Sequence, residues 1–299
     1  MNSYQTHLSS LAIIEVSGSD ASSFLQGQFT SDLSETDDHQ STLSAWCNAQ
    51  GRVITTFLVF RDKDRYLLLL PDTLIDSVCQ RLKMFVLRSR VVISKQTQYA
   101  CIGLSGPQAT TIVATLDKPN VFTTKIAGTD TDRVILIVPA ELLEELQTRL
   151  GTEGVQSVAP GLWQQEDIDT GIPWLNPPTS GEFLPQELSL ENIGALSYNK
   201  GCYPGQEIIA RLHFRGRVKR SLCAGQIASG TSVPGPGTRL FSATGSITTG
   251  IVISIARVSD THVRLLAVID TEHQATGQVV LDAGDLVHFT PVSSRTSIP

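Results

Sequence analysis

The chain has 299 residues, of which 41% are hydrophobic and 17% are charged, and its formal net charge is −6. This length and apolar content are enough for about two domains with a sizeable core, and the acidic balance argues against general nucleic-acid binding, which requires a basic face. The five scattered cysteines are odd in number and form no CxxC pair. They argue against a disulfide framework or a four-cysteine zinc site and are typical of a reducing compartment.

The sequence predicts no membrane partner, because no segment has the ~20 consecutive apolar residues that span a bilayer. The first 51 residues contain no lysine or arginine. Secretory signals begin with a basic stretch, and mitochondrial transit peptides are rich in arginine. We therefore expect a cytoplasmic location, in a bacterium.

A repeat with a constant offset of 68 residues links 64–82 (DRYLLLLPDTLIDSVCQRL) to 132–150 (DRVILIVPAELLEELQTRL). Each copy is a short apolar run, a proline and an amphipathic stretch. Because proline is well tolerated in the first turn of a helix, each copy predicts a strand, a proline and a helix. The residues predicted to share one face of the first helix are Leu74, Val78, Leu82, Phe85 and Val86.

A weaker echo precedes each copy, in which 14–21 (IEVSGSDA) resembles 103–109 (GLSGPQA). Both segments predict a strand that runs through Ser-Gly into a helix cap. Taken alone, this echo is equally compatible with a coincidence between two ordinary strand-to-helix turns. Two echoes in the same order favour a duplicated α+β unit.

The second half of the chain changes character along its length. Pro160 and Gly171 bracket a predicted helix over 161–170. From about residue 219, short runs rich in valine, isoleucine, leucine and threonine alternate with glycine and proline clusters, which predicts a small β-barrel. The predicted strands are 221–227, 247–258, 263–270 and 286–292. The predicted fold is therefore α+β, with a duplicated α+β domain over 1–218 and a β-barrel domain over 219–299.

Segment 199–220 (NKGCYPGQEIIARLHFRGRVKR) is an electrostatic exception. It has six basic residues and one acidic residue, a local charge of +5, so the rest of the chain carries −11. One interpretation is a solvated basic loop between domains. The other is an anion-binding surface. Its members would be Arg211, Arg215, Arg217, Lys219 and Arg220.

Cys202 lies between Lys200 and a predicted helix start near Gly205. An ammonium group and a helix N-terminus both favour the thiolate form of a neighbouring cysteine. Gly201 and Gly205 permit backbone conformations that other residues resist. The alternative is that Cys202 is a small buried hydrophobic residue, as lone cysteines usually are.

The octapeptide 200–207 (KGCYPGQE), continuing into Ala210, Arg211, Arg215 and Gly216, resembles the KGCYxGQE signature of the YgfZ family. Further pieces that resemble this family follow the same order along the chain. They are 26–32 (QGQFTSD), Cys47 with 51–52 (GR) and 169–173 (DTGIP). The resemblance covers nearly the whole chain. It implies a fold like that of the folate-binding T-protein of glycine cleavage, in which a duplicated α+β folate-binding domain precedes a β-barrel.

The resemblance also implies a function. Family members bind tetrahydrofolate or a derivative and support the assembly or repair of Fe–S enzymes, including radical-SAM enzymes that methylthiolate tRNA. The implied partners are folate and such Fe–S or radical-SAM clients, without direct sequence-specific binding of nucleic acid. The implied functional thiol is Cys202, beside Lys200. The implied folate contacts are Trp163, Leu11, Tyr203, Gln206, Glu207, Arg211 and Arg215.

Two tryptophans of the family are linked to folate, and this chain keeps one of them. Trp163 matches the first, whereas Leu11 occupies the position of the second. The leucine removes an aromatic surface on which a pterin or benzoyl ring could stack. Trp163 taken alone would be a core residue more often than a ligand contact.

Three functions stay open from the sequence: a folate-binding helper of Fe–S enzymes, an aminomethyltransferase like the T-protein, and a binding module without catalysis. T-protein-like chains carry an aspartate pair where this chain has Thr55 and Thr56. A neutral threonine cannot act as the carboxylate in that folate chemistry, which favours a non-catalytic accessory factor. Dispersed histidines and the lack of four clustered thiolates predict no metal site in the chain itself.

Overall fold

The computed structural model describes residues 3–34, 41–116, 121–126, 132–228, 233–242, 247–257, 262–274, 279–281 and 286–292. The strands in chain order are β1 Tyr4–His7, β2 Leu11–Ser17, β3 Ser41–Cys47, β4 Val53–Asp62, β5 Arg65–Pro71, β6 Val92–Gln96, β7 Tyr99–Ser105, β8 Phe122–Lys125, β9 Arg133–Pro139, β10 Gln156–Ser157, β11 Arg220–Ala228, β12 Arg239–Ser242, β13 Thr248–Arg257, β14 His262–Asp270, β15 Val279–Val280 and β16 Leu286–Pro291. The α-helices are α1 Ala21–Gln26, α2 Ile75–Lys83, α3 Ala109–Ala114, α4 Leu143–Thr152, α5 Gly161–Asp169, α6 Gln206–Arg215 and α7 Thr271–Gln274.

The strands form two open sheets and one barrel. One open sheet has the order β3-β4-β5-β2-β6 and the other the order β10-β1-β7-β9-β8. The barrel is closed, with the order β11-β14-β13-β12-β15-β16. Among the described helices, none is long and apolar enough to cross a membrane. The predicted α+β fold with a C-terminal β-barrel is thereby confirmed.

The two copies of the repeat have the same local structure. Strand β5 ends at Pro71 and strand β9 at Pro139, and each proline is followed by one 3₁₀ turn and then by α2 or α4. Both prolines have an extended backbone, with ψ of 131° and 134°. The missing N–H of proline costs nothing at this position, because a helix start leaves its first N–H groups unpaired. The duplication predicted from the 68-residue offset is confirmed.

Strand pairing repeats as well. Strand β2 runs antiparallel to β5 with Leu11 opposite Pro71, and β7 runs antiparallel to β9 with Tyr99 opposite Pro139. At the other end of both ladders, a serine lies opposite the arginine that is the second residue of the repeat. After these serines come glycines with φ of +116° and +127°, and then α1 and α3. The weaker echo therefore belongs to the duplicated unit: in each copy it supplies the strand that pairs with the strand of the repeat, and the helix that follows.

Equivalent helix positions supply the core of the two copies. Val78 and Leu82 of α2 are buried, and so are Leu146 and Leu150 of α4, which lie 68 residues later. Fully burying a side chain of this size contributes about 1.5–3 kcal/mol. The predicted helical face is wrong at its end, because α2 stops at Lys83, and Phe85 and Val86 lie beyond it. Phe85 is 41% exposed.

The barrel strands agree with the predicted runs, although the predicted end of one run at Val258 lies outside the described residues. Helix α5 confirms the helix predicted over 161–170. The barrel core is apolar, and its fully buried members are Leu240, Val252, Val263, Leu265, Ala267, Ile269 and Val287. The short strands β12 and β15 and the helix α7 were not predicted. Runs of two to four residues are too short to show a periodicity.

The chain divides into two compact units. One comprises 1–27, 32–43 and 57–163, and the other comprises 28–31, 44–56 and 164–299. Residues 164–218 thus group with the barrel, whereas the predicted domains place them with the preceding α+β domain. The barrel itself begins with β11 at Arg220, and the domain boundary stays a prediction.

Candidate functional site

Lys200 fixes one end of the octapeptide. Its Nζ donates hydrogen bonds to the carbonyl oxygens of Phe29 and Ser31, at 2.6 Å and 2.7 Å. Between these two residues, the hydroxyl of Thr30 donates to the carbonyl of Ala195 at 2.6 Å and accepts from the backbone N–H of Ala45 at 3.0 Å. The segment 28–31 is therefore held between β3 and the approach to the octapeptide. The contact brings together two pieces that are far apart in the sequence, 28–31 (QFTS) and 200–203 (KGCY).

Tyr203 is the buried residue of the octapeptide, with 6% of its surface exposed. Its hydroxyl has no hydrogen-bond partner among the described residues. Burial raises the pKa of this hydroxyl above its usual value, and the neighbouring Cys47 thiol adds to the rise. The hydroxyl therefore stays protonated at physiological pH and can donate a hydrogen bond. Lys200 Nζ lies 5.4 Å from the centre of the Tyr203 ring.

The start of α6 packs against the turn between β3 and β4. Gly205 caps the helix with a φ of +80°, and Gly51 in the turn has a φ of +74°. A β-carbon at residue 205 would stand 2.4 Å from Gly51 Cα and 2.6 Å from the carbonyl oxygen of Asn48. No side chain fits there. The prediction that Gly205 serves a special backbone conformation is confirmed.

Gly201 does not share this property. Its φ is not in the left-handed region, and nothing lies within 4 Å of where its β-carbon would be. The prediction of a special backbone role for Gly201 is therefore wrong: the residue borders open space.

Cys202 is exposed, whereas Cys47, Cys79, Cys101 and Cys223 are all buried. Burial raises the pKa of Cys223 to about 11, and desolvation likewise raises the pKa of Cys101 to about 12. The thiols of Cys101 and Cys223 therefore stay neutral at physiological pH. Of the two interpretations of Cys202, the structure therefore agrees with an accessible thiol rather than with a core position.

The basic residues after Cys202 fall into two groups. Arg220 donates to the Glu187 carboxylate from Nε at 2.9 Å and from Nη2 at 2.8 Å, so it is wrongly included in the predicted anion-binding surface. The others are exposed, and no carboxylate of the described residues pairs with them. This exposed group is Arg211, Arg215, Arg217 and Lys219. Gln206 and Glu207 form the first turn of α6, where Glu207 is exposed.

Thr55 and Thr56 are fully buried in β4. The Thr56 hydroxyl donates to the carbonyl of Pro173 at 2.5 Å, and the Thr55 hydroxyl donates to the carbonyl of Thr56 at 3.1 Å. Pro173 belongs to the DTGIP piece, whose Asp169 pairs with Arg264 of the barrel. Both hydroxyls thus serve the internal hydrogen bonding of this unit.

Trp163 is a covered residue, with 2% of its surface exposed. The guanidinium of Arg133 lies 3.9 Å from the centre of its ring, and a β-carbon at Gly103 would stand 2.6 Å from its Cε3 atom. A ligand ring could stack there only if Arg133 moved away. Leu11 is half-buried at the start of β2. The placement of both residues at a folate pocket stays a prediction.

Glu187 and Gln186 are polar residues of the site that the sequence did not reveal. Glu187 accepts from the backbone N–H of Leu184 at 2.9 Å in addition to its pairing with Arg220. Gln186 Nε2 donates to the carbonyl of Ile209 in α6 at 2.8 Å. Both residues are buried. The signal in the sequence is a polar pair, Gln-Glu, inside the mainly apolar stretch 183–190 (FLPQELSL).

Known proteins resemble this chain in sequence and in fold. Residues 5–131 match the GCVT N-terminal domain family. The tRNA-modifying protein YgfZ of Cronobacter sakazakii is 33% identical over 86% of this chain and 80% of that relative. The protein of the same name from Vibrio atlanticus is 34% identical over 76% of this chain and 70% of that relative.

A solved structure matches nearly the whole chain. It is the glycine cleavage system aminomethyltransferase T of Bartonella henselae, with a TM-score of 0.75 and 18% identity, over 98% of this chain and 87% of that one. At this identity the match shows the fold alone. The fold is therefore the one that the resemblance implied.

Proposed function

Because the chain belongs to the YgfZ family, we propose that it is a folate-binding accessory protein that supports Fe–S enzymes, among them those that methylthiolate tRNA. The relatives are named tRNA-modifying proteins. We place the protein in the cytoplasm, where its five cysteines can remain the free thiols that the structure contains.

The observation that carries the proposal is an exposed thiol on an anchored loop. On one side of Cys202, Lys200 is bound to two carbonyls. On the other side, Tyr203 is buried and Gly205 is pressed against Gly51. An exposed loop that is fixed so closely on both sides presents its one solvent-facing reactive group in a defined position, as functional sites require. We propose that Cys202 is the functional thiol.

The residues around α6 suit the polar ends of a tetrahydrofolate. Exposed Arg211 and Arg215 are able to pair with the carboxylates of its glutamate tail, since arginine matches carboxylate geometry. The Tyr203 hydroxyl, which is buried and has no hydrogen-bond partner in the described part of the chain, can donate to a pterin, and the exposed Glu207 carboxylate can accept from one. Gln206 completes the predicted contacts on this helix. A bound reduced folate would supply one-carbon or redox chemistry that no side chain offers.

The buried threonines support an accessory role rather than aminomethyl transfer. A carboxylate in place of Thr55 or Thr56 would be required for the folate chemistry of the transferase, and both positions are occupied by fully buried hydroxyls. Each hydroxyl already donates to a backbone carbonyl. Nothing at these positions can accept a proton at neutral pH.

The test is complementation of a deletion strain by the wild type and by Cys202→Ser. The readouts are methylthiolated tRNA by mass spectrometry, the activity of an Fe–S enzyme, and the cellular level of the protein. We expect the serine variant to accumulate normally, to bind reduced folate like the wild type, and to fail to restore either activity. Full complementation by Cys202→Ser would contradict the role of the thiol.

Gly201→Ala is the matched control for this experiment, since it alters the adjacent residue where a methyl group meets open space. It should complement fully. Titration of the purified wild type with reduced folate tests the ligand separately. A protein that binds no reduced folate would overturn the folate part of the proposal, whatever the complementation shows.

A further inference from the structure

Three aromatic rings meet at the end of α6. Tyr198 and His213 are stacked, with ring centres 3.8 Å apart and planes inclined by 24°. Phe214 stands edge-on to both, 4.7 Å from His213 and 6.3 Å from Tyr198. Phe214 itself is 73% exposed. We call Tyr198, His213 and Phe214 the aromatic end of α6. Its Phe214 ring is exposed to solvent and packs against the stacked rings of the other two residues.

The base of this cluster is held by polar contacts beneath it. The Tyr198 hydroxyl donates to the Glu191 carboxylate and accepts from Gln186 Nε2 at 3.2 Å. The same Gln186 amide donates to the carbonyl of Ile209 in α6. The rings therefore keep their positions without a ligand. A surface that is ordered in advance loses little conformational freedom when it binds.

Positive charge surrounds the aromatic end. Arg211 and Arg215 are exposed on α6, one turn apart, three positions before Phe214 and directly after it. Arg217 and Lys219 follow shortly after the helix ends. All four are exposed, and none pairs with a carboxylate among the described residues. Segment 199–220 carries a local charge of +5. Segment 81–95 carries the same charge, but its Arg90 and Lys95 pair with carboxylates, whereas these four cations do not in the described part of the chain. An anionic partner is the complement to these four cations.

We propose that the aromatic end of α6 and its neighbouring cations bind single-stranded RNA, with an unpaired base stacked on Phe214 and phosphates paired with Arg217 and Lys219. Exposed aromatic rings interleaved with basic residues are the usual means of binding single strands without sequence preference. Duplex RNA hides the faces of its bases, and an apolar protein surface would not suit rings set among cations. The inference rests on the proposed function for the choice of RNA as the polyanion.

Base stacking is tolerant of sequence, so this surface agrees with the expectation of no sequence-specific nucleic-acid binding. The acidic net charge of the chain does not exclude this kind of RNA binding. A chain of charge −6 can bind a polyanion where cations are gathered in one segment, because exposed charges farther away than about 8 Å are largely screened at physiological salt.

The test measures fluorescence anisotropy of a labelled single-stranded RNA of about 12 nucleotides, a length within the range of known single-strand sites. We expect Phe214→Leu to weaken binding by roughly 5- to 150-fold, the effect of losing one stacked base, and Phe214→Trp to retain it. Arg217→Gln should reduce the slope of log affinity against log salt by about 0.7, the contribution of one phosphate contact. The single strand should bind more tightly than a duplex of the same sequence.

Matched controls lie on the barrel, where Ile247 is an exposed apolar residue and Arg257 an exposed cation. Ile247→Ala and Arg257→Gln should leave RNA affinity unchanged. Equal RNA binding by the wild type and Phe214→Leu would overturn the inference. Displacement of the RNA by an equal concentration of a polyglutamate peptide would also overturn it, because that result would indicate an acidic protein partner. Reduced-folate titration of the same samples separates the two proposals, since folate binding without RNA binding would overturn this inference alone.

Discussion

Gly205 and Gly51 are in close contact, so that a side chain on Gly205 would collide with the β3–β4 turn and one on Gly51 would fit only tightly against the helix cap of α6. A β-carbon at residue 205 would stand 2.4 Å from Gly51 Cα, and one at residue 51 would stand 3.2 Å from the carbonyl oxygen of Gly205. Both residues also have positive φ. The contact joins two pieces of sequence 154 positions apart, the Gly51-Arg52 pair and the octapeptide. It sets where Cys202 stands relative to the turn.

Gly205→Ala should destabilise the protein by about 2–4 kcal/mol. The estimate adds about 1–2 kcal/mol for a non-glycine residue in the left-handed region to the strain of overpacking against backbone atoms that cannot swing away. Urea unfolding measures the change. Gly201→Ala is the control and should alter the free energy of unfolding by less than about 0.5 kcal/mol. Equal stabilities of the two variants would contradict the close contact with Gly51.

Lys200→Met should cost about 1.5–3 kcal/mol of stability, because it removes a charged donor that binds two backbone carbonyls. The methionine keeps the apolar length of the side chain, so the loss measures the ammonium group. Lys219→Met is the matched control, since Lys219 is exposed and pairs with no carboxylate among the described residues. If both variants unfold at the same urea concentration, the anchoring of the loop by Lys200 is not significant.

Alkylation should distinguish Cys202 from the other cysteines. Iodoacetamide should modify one thiol per folded chain and five in denaturant, because Cys202 alone among the five cysteines is exposed. Cys202→Ser should remove the labelling of the folded protein. Intact-mass spectrometry counts the adducts. Rapid modification of a second cysteine under native conditions would contradict the burial of the remaining four.

The repeat could be predicted because its signals are local. The apolar run, the proline and the helical spacing all lie within a segment of 19 residues that recurs at an offset of 68. The structure repeats them, including the register of the strand pairs. The end of α2 could not be predicted in this way. Apolar residues continue past Lys83 in sequence, but the chain leaves the helix, and Leu87 takes a positive φ of 44°.

The long-range contacts of the candidate site had no local signal. The octapeptide was recognisable as a motif, yet nothing in it shows that Lys200 reaches the carbonyls of 28–31. The ring of Trp163 is covered by Arg133, which lies 30 positions earlier in the chain. The counterpart of Arg133 in the first repeat is Arg65, and its guanidinium likewise lies over an aromatic ring, 5.3 Å from the centre of Phe122. Such pairs depend on how the strands are arranged, which a single sequence does not state.

Thr56→Val should destabilise the protein by about 1–3 kcal/mol, because it leaves the carbonyl of Pro173 buried without its donor. Thr56→Ser keeps the hydroxyl and should cost less. Thr56→Asp should be the most harmful of the three, since a carboxylate there has no proton to donate and would be buried beside a carbonyl oxygen. The order Ser, Val, Asp in thermal stability is the measurement, and a stable aspartate variant would contradict it.

Aminomethyl transfer should be absent from the wild type, because Thr55 and Thr56 stand where T-protein-like chains carry an aspartate pair. Methylene transfer from a lipoyl-linked donor to tetrahydrofolate, followed by chromatography of the folate product, should show no turnover above a heat-inactivated sample. A T-protein run in parallel is the positive control. Turnover comparable to that of the T-protein would show that a group other than Thr55 and Thr56 supplies the missing carboxylate.

Trp163 offers the sharpest test of where folate binds. Trp163→Ala should weaken reduced-folate binding by about 1–3 kcal/mol if a ligand ring stacks there, but removing so large a buried side chain also costs about 3–5 kcal/mol of stability. The pair Trp163→Phe and Trp163→Leu separates the two effects, because both keep an apolar side chain in the core and only phenylalanine keeps an aromatic face. Calorimetric titration at a temperature where both are folded should show near-normal affinity for the phenylalanine variant and a loss for the leucine variant. Equal affinities would make Trp163 a core residue, packed between Gly103 and Arg133, and would place the folate elsewhere.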